Sequence, residues 1–277
     1  IFVNDNITWS ANKLTLDAYR NIEINRELFG SGAAQLALYY GQGTVASGNT
    51  AKYSVNAPVN LPSGNNFSTK LGSDGTEITY SVINDLASLQ NISSNLGGYY
   101  ALGGSIDASE TSIWNPNGSG GYFGFSPIGD SSTAFTGTFD GLGHTITGLY
   151  INRPATKYVG LFGYTYGSSI IQNVGLIDAS VTGQNYVGGL AGWNYSGSIS
   201  SSYITGAVTG TGDYVGGLIG WNYEGNIGTT YNTCAVSGTG YVGGLLGYNH
   251  SGSVSNSYST GAVTGTGDYA GGLIGWN

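Results

Sequence analysis

The sequence predicts an all-β chain wound as a parallel β-helix, with coils of about 28 residues in its C-terminal half and one short helix near residues 84–96. Three observations carry this reading. The tyrosines opening "YVGLFGY", "YVGGLAGWN", "YVGGLIGWN", "YVGGLLGYN" and "YAGGLIGWN" stand at 158, 186, 214, 241 and 269, spaced 28, 28, 27 and 28 residues apart. A period between about 20 and 50 residues marks a solenoid or an array. Each period holds three short extended pieces parted by glycine or asparagine, as in "YVGGLAGW", "GSISSSYIT" and "GAVTGTG". A propeller blade needs about 40 residues and four strands, and no window keeps the 3.6-residue apolar period of a helical repeat. Composition agrees. With 50 glycines, 22 tyrosines, 40% hydrophobic and 8% charged residues, the chain is rich in turns and strands. A disordered chain is poor in aromatic and β-branched residues.

By pattern the chain divides into residues 1–83, 84–155 and 156–277, expected to form one continuous solenoid. In the first part, "NITWSANKLTLDAYRNIEIN" alternates apolar and polar residues, and short β-type stretches separated by "SGN" and "SDG" follow. The second part opens on the predicted helix, "NDLASLQNISSNLGG", with an asparagine cap, apolar Leu86, Leu89, Ile92 and Leu96, and a glycine stop. "YYALGGSIDAS" and "FTGTFDGLGHTITGLYI" then read as strands returning to the solenoid.

In the third part, equivalent positions of successive coils stack into columns about 4.8 Å apart. Val187, Val215 and Val242 make one inward column, and Leu190, Leu218, Leu245 and Leu273 another. Ile199, Ile227 and Val254 supply a further wall, as do Val208, Val236 and Val263. No coil can bury its apolar face alone, so stability is shared between neighbours. Asn194, Asn222, Asn249 and Asn277 fall where the chain turns, and asparagine tolerates left-handed backbone there. The paired glycines permit a bend or bulge.

At this point the residues carry a resemblance. "FTGTFDGLGHTITGLYI" followed by repeated "YVGGLxGWN" resembles the GLUG-motif segments of large bacterial surface proteins, and "LASLQNISSNLGGYYALGGSIDAS" is similar to the leader that accompanies them. "NITWSANKLTLDAYRNIEIN" and "YSVNAPVNLPSGNNFSTKLGSDG" resemble filamentous-haemagglutinin-like exoproteins of two-partner secretion. Together these stretches cover most of the chain. The resemblance implies a secreted, right-handed β-helical stalk at the Gram-negative outer surface, exported through an outer-membrane transporter and serving adhesion or biofilm matrix. It implies no catalytic residue, since these motifs are structural in the family.

The remaining sequence narrows the function. Net charge is −8 with seven Lys and Arg in all, so no basic patch can neutralise a phosphate backbone and nucleic acid is not an expected partner. No run of eighteen apolar residues is present, so no membrane insertion is expected. Cys234 is the single cysteine, which excludes an internal disulfide framework and a CxxC metal site. Beginning at Ile1 and stopping at the end of a repeat, the chain reads as a fragment of a longer protein. Asp130, Asp140, Asp178, Asp213 and Asp268 are the acids a β-helical glycosidase would need. They read instead as turn residues. His144 has no GxSxG partner. Neither an enzyme nor a cofactor or metal is therefore expected.

The aromatic columns are the candidate ligand or partner surface. Trp193, Trp221, Tyr248 and Trp276 fall on one line, and Tyr195, Tyr223 and His250 on its neighbour. Tyr203, Tyr231 and Tyr258 form a third. Such columns stabilise the ladder by stacking, and, exposed as a flat strip, they offer a face to sugars or a partner. Host-cell or matrix glycans and proteins, or other copies of the chain, are the expected partners. A self-assembling fibre protein and a carbohydrate-binding or polysaccharide-degrading module are the alternatives.

Overall fold

A computed structural model describes residues 1–277. It is a β-solenoid with six sheets and one short helix, and its spine is a ten-stranded sheet running the length of the molecule. The spine begins with Lys13–Asp17, Gln35–Tyr40 and Gly64–Leu71. It continues through Ile78–Ile83, Tyr99–Leu102 and Thr138–Asp140 to Ser253–Ser255. Every neighbouring pair in it is parallel except Gly64–Leu71 with Ile78–Ile83, which pair antiparallel around a short turn.

That one reversal divides the molecule in two. Leu36, Leu38, Phe67, Tyr80, Val82 and Ala101 belong to a cluster of 15 buried residues under the N-terminal coils. Ile83, Leu102, Phe139, Ile171, Ile199 and Ile227 belong to a cluster of 36 under the C-terminal coils. Adjacent residues Val82 and Ile83 therefore face different cores, as strand alternation requires. At the hairpin the strand direction reverses and the buried face of the spine switches sides. Each change alone would invert the hand of winding, and together they preserve it.

The N-terminal coils add two further walls to the spine. Phe2–Val3, Ile22–Ile24 and Tyr53–Val55 make one, and Ile7–Trp9, Leu28–Gly30 and Val59–Asn60 the other. Alternation decides what each strand buries. Ile22 and Ile24 are fully enclosed while Glu23 points outward, and Leu28 is enclosed while Phe29 is exposed.

In the C-terminal coils the inward columns are as the spacing predicts. Val187, Leu190, Ile199, Val208 and their counterparts one coil on are all at most 1% exposed. Burying one such side chain is worth roughly 1.5–3 kcal/mol. Two details differ from the sequence expectation. The piece "YVGGLAGWN" is two strands in two sheets, Val187–Gly188 and Ala191–Tyr195. The corner between them is packed against the next coil: a Cβ on Gly188 would strike Ile219 and one on Gly189 would strike the Ile204 side chain. Conversely "SYIT" and "GAVTG" are one strand, Tyr203–Gly210, bent at Gly206 with φ 118° against the backbone of Ala179.

The asparagines also depart from expectation. Asn194, Asn222 and Asn249 lie in extended strands with their side chains inside, and the left-handed residues are Ser196, Glu224 and Ser251, two positions later. Each amide Nδ2 donates to the Oδ1 of the next asparagine, at 2.8 Å from Asn194 to Asn222 and 2.8 Å from Asn222 to Asn249. The same groups donate to the carbonyls of Gly197 and Gly225 at 3.0 Å. A buried polar group so satisfied closes the corner that a surface turn would leave to water.

The helix is shorter than its pattern. Leu86–Gln90 is α-helical and Asn91–Ser94 continues as a 3-10 turn, with Asp85 rather than Asn84 as the cap, accepting from the Ser88 amide at 2.7 Å. Leu89 and Ile92 are fully buried, and Leu86 and Leu96 pack against the larger core. No helix is long and apolar enough to cross a membrane.

Candidate functional site

The predicted columns stack in register. Trp193 pairs with Trp221 and Trp221 with Tyr248, while Tyr195, Tyr223 and His250 are neighbours in the same strands. Trp276 continues the first line opposite Tyr248. Ring centroids are 4.6 Å apart at 2° for Trp193–Trp221, and 4.7 Å at 6° for Tyr223–His250. Tyr203, Tyr231 and Tyr258 stack at 4.7 and 5.1 Å. These separations match the spacing of paired strands, so the backbone sets the stacking distance.

That geometry corrects one part of the sequence reading. Trp193 and Trp221 stack face to face along the solenoid axis, as do Tyr195, Tyr223 and His250, so neighbours occupy these faces, whereas Tyr248 tilts 58° from Trp221 and Trp276 stands edge-on to Tyr269. Trp193 and Trp221 are half-buried, and their indole nitrogens Nε1 are buried without a hydrogen-bond partner. Trp193 and Trp221 therefore do not offer the open ring faces on which a sugar could lie. His250 and Trp276 are exposed; Tyr195, Tyr223 and Tyr248 are half-buried.

The tyrosines that mark the period form a fourth column. Tyr158, Tyr186, Tyr214, Tyr241 and Tyr269 stack at 4.9, 5.0, 4.9 and 4.7 Å, within 5° of parallel. Tyr186 also lies 5.1 Å from Trp193 and 5.5 Å from Trp221, which is what covers the indoles. Tyr158, Tyr186 and Tyr214 hold left-handed backbone at φ 60°, 57° and 63°, a conformation costly for a bulky residue and repeated because the corner repeats. Burial, then the neighbouring phenols, raise the Tyr186 and Tyr214 hydroxyl pKa values.

The candidate acids do separate things. Asp130 accepts from the Ser132 hydroxyl and from the amides of Thr133 and Ser132 within its own turn, and these bonds hold its pKa low. Asp140 is fully buried where the two halves meet. It accepts from Tyr53 Oη at 2.5 Å, Gln172 Nε2 at 2.8 Å, Asn173 Nδ2 at 2.9 Å and the Leu142 amide at 2.9 Å. Burial nonetheless raises its pKa. His144, 4% exposed, donates from Nε2 to the Val59 carbonyl at 2.9 Å, and burial lowers its pKa. Asp140 and His144 are thus clasps between the halves. No group of three or more His, Cys, Asp and Glu stands together as a metal site would require.

With this geometry in hand, known proteins supply a comparison. The family model described as the GLUG motif matches residues 183–209 and 238–264. The chain carries GLUG motifs. Halomucin of Haloquadratum walsbyi is 44% identical over 131 residues, which are 46% of this chain and 1% of that protein. A protein of Evansella cellulosilytica named as a Gly-rich membrane protein is 35% identical over 127 residues, 45% of this chain and 14% of its own length. The matches thus span a small part of either relative. A crystal structure from Bacteroides ovatus, of a chain named as an immunoglobulin A1 protease, superposes with a TM-score of 0.57 at 23% identity. It covers 72% of this chain and 62% of that one. At that identity the likeness concerns the fold alone.

Proposed function

We propose that this chain is a non-catalytic stalk segment of a secreted or surface-displayed protein, serving attachment or aggregation. The observation that carries the reading is the ladder itself: asparagine, valine, leucine and aromatic side chains of each C-terminal coil bond or pack chiefly to the same side chains of the next. Such a chain spends its sequence on length and rigidity. The GLUG motifs and the names of halomucin and the Gly-rich membrane protein support an extracellular or surface setting. On this reading, glycans or proteins of a host cell or matrix, or further copies of the chain, contact the outward edges of Tyr195, Tyr223 and His250 and the exposed Trp276. The haemagglutinin-like N-terminal stretches support export of two-partner type, through an outer-membrane transporter to a Gram-negative surface.

The test is display of the chain on a non-adherent cell. Attachment to matrix-coated surfaces, or cell aggregation, is expected to rise, and Tyr195→Ser with Tyr223→Ser is expected to reduce it. A displayed, folded chain that neither attaches nor aggregates overturns the attachment role. Release of sugar from a polysaccharide overturns the non-catalytic one.

A further inference from the structure

The face exchange at the hairpin leaves a groove of about 320 Å³ between the N-terminal coils and the outward side of the spine sheet. On the N-terminal side the spine presents Tyr80 to the core; three strands on, the same face presents Ile170 and Gln172 to the surface. Residues 51–53 lean over it, held by the bonds of Tyr53 to Asp140 and Gln172. We propose that this groove binds an acidic sugar, a pyranose unit carrying a carboxylate.

Three features of the lining point to that class. The first is the arrangement of the rings. Tyr40 and Tyr53 meet edge to face, 5.4 Å apart at 64°, as do Tyr80 and Tyr99, 5.8 Å apart at 71°. In the C-terminal tyrosine ladders parallel stacking uses up the ring faces. Here Tyr99 is 43% exposed at the rim, so a ring surface remains for the polarised C–H groups of a sugar, which the negative face of an aromatic attracts.

The second is unused hydrogen-bonding capacity. The hydroxyls of Tyr40, Tyr99, Thr138 and Ser168, the Gln172 Oε1 and the Lys52 ammonium all belong to the lining and make no hydrogen bond within the chain. Hydroxyls, an amide oxygen and an ammonium around a few rings are what a polyhydroxylated ligand requires, and the volume lies at the small end of ligand pockets, about 300–1,000 Å³.

The third is charge. In a chain of net charge −8 with fifteen Asp and Glu, the groove is lined by Lys52 and no exposed carboxylate. Asp140 lies behind Tyr53 and Gln172, wholly buried and occupied by its four donors. An ammonium without a partner at the edge of a ring-lined groove favours an anionic over a neutral sugar.

The site stands independently of the attachment reading, since it lies apart from the ladders. Calorimetric titration with cellobiouronate and with cellobiose, which differ by a carboxylate in place of a hydroxymethyl group, tests it. Cellobiouronate is expected to bind about two- to fivefold more tightly, the range of an exposed ion pair. Lys52→Gln is expected to erase that difference. Tyr99→Ala is expected to weaken both sugars about three- to tenfold. Lys52 and Tyr99 are exposed, so an unchanged circular dichroism spectrum separates loss of contact from loss of fold. Binding of neither sugar at millimolar concentration, equal binding of the two by the wild-type chain, or indifference to Tyr99→Ala each overturns the proposal.

Discussion

Each half of the molecule contains an asparagine ladder, and the two differ in burial. In the N-terminal coils Asn25 donates to Asn4 at 2.9 Å and Asn56 to Asn25 at 2.8 Å, at an exposed corner. In the C-terminal coils Asn194, Asn222 and Asn249 make the same bonds, but Asn194 and Asn222 are wholly enclosed and Asn249 is 5% exposed. The inner ladder also takes up glycine carbonyls at the corner. The comparison separates the bond from its setting. Water can replace the outer ladder, whereas nothing can replace the inner one.

The sharpest way to break the comparison is to delete one rung of each. Asn222→Ala leaves the Asn249 Oδ1 and one Asn194 amide hydrogen buried without partners, and leaves the Gly225 carbonyl only the Ser253 amide; each orphaned group costs about 1–3 kcal/mol. A loss of about 3 kcal/mol or more is expected in urea unfolding. Asn25→Ala leaves the Asn4 Oδ1 and one Asn56 amide hydrogen open to solvent and is expected to cost about 0.5–1 kcal/mol. Equal losses would mean that the ladders act through geometry alone and that burial is irrelevant to them.

A second difference concerns pH, because the junction encloses a histidine whose pKa burial lowers. His144 is neutral by preference: burial lowers its pKa from 6.5 against the opposing pulls of the Val59 carbonyl, Glu27 and Asp140. A histidine held below its unfolded pKa stabilises the fold above that pKa, and the contribution is lost as pH falls through 6.5 towards the folded value. The carboxylates Glu77 and Asp85, held low by their hydrogen bonds, lose their contribution only below about 4.5 and 3.8. Asp140 has the opposite sign, since its raised pKa costs stability as pH rises above 3.8. Between pH 6.5 and 5, His144 is therefore expected to govern the slope. The His144→Gln variant, which keeps a donor for Val59, is expected to flatten the urea midpoint across that window. An unchanged slope in this variant would place the acid sensitivity elsewhere.

The regular half was legible in the sequence because repetition writes the same contact several times. Val187, Val215 and Val242 share a position modulo the coil length, so one glance assigns them all to one buried column. The ring columns were equally plain, but their orientation was not. Spacing places Trp193 over Trp221 without saying that the tyrosines of the next corner cover them. The inner asparagines were read as turn residues because the same amide suits either a left-handed turn or a ladder. The junction left no pattern at all. Tyr53 and Asp140 are 87 residues apart and meet once, and a contact made once has no period to reveal it. The antiparallel hairpin, which decides which face of Ile78–Ile83 serves which core, likewise rests on one short "SDG" turn.

The finest comparison is between a ring inside a column and the same ring replaced. Tyr223 stacks between Tyr195 at 4.7 Å and His250 at 4.7 Å, half-buried. Removing it as Tyr223→Ala is expected to cost about 0.5–1.5 kcal/mol, the worth of an aromatic pair beyond its area, because the two remaining rings are a full coil apart on either side of the gap. His250 already shows that an imidazole fits the column, so Tyr223→His is expected to cost under about 0.5 kcal/mol, as exposed substitutions that keep packing do. A urea midpoint for Tyr223→His as low as that for Tyr223→Ala would mean the column depends on the phenol itself. The stacking account requires the flat ring alone, since the coil spacing already places the next ring at contact distance.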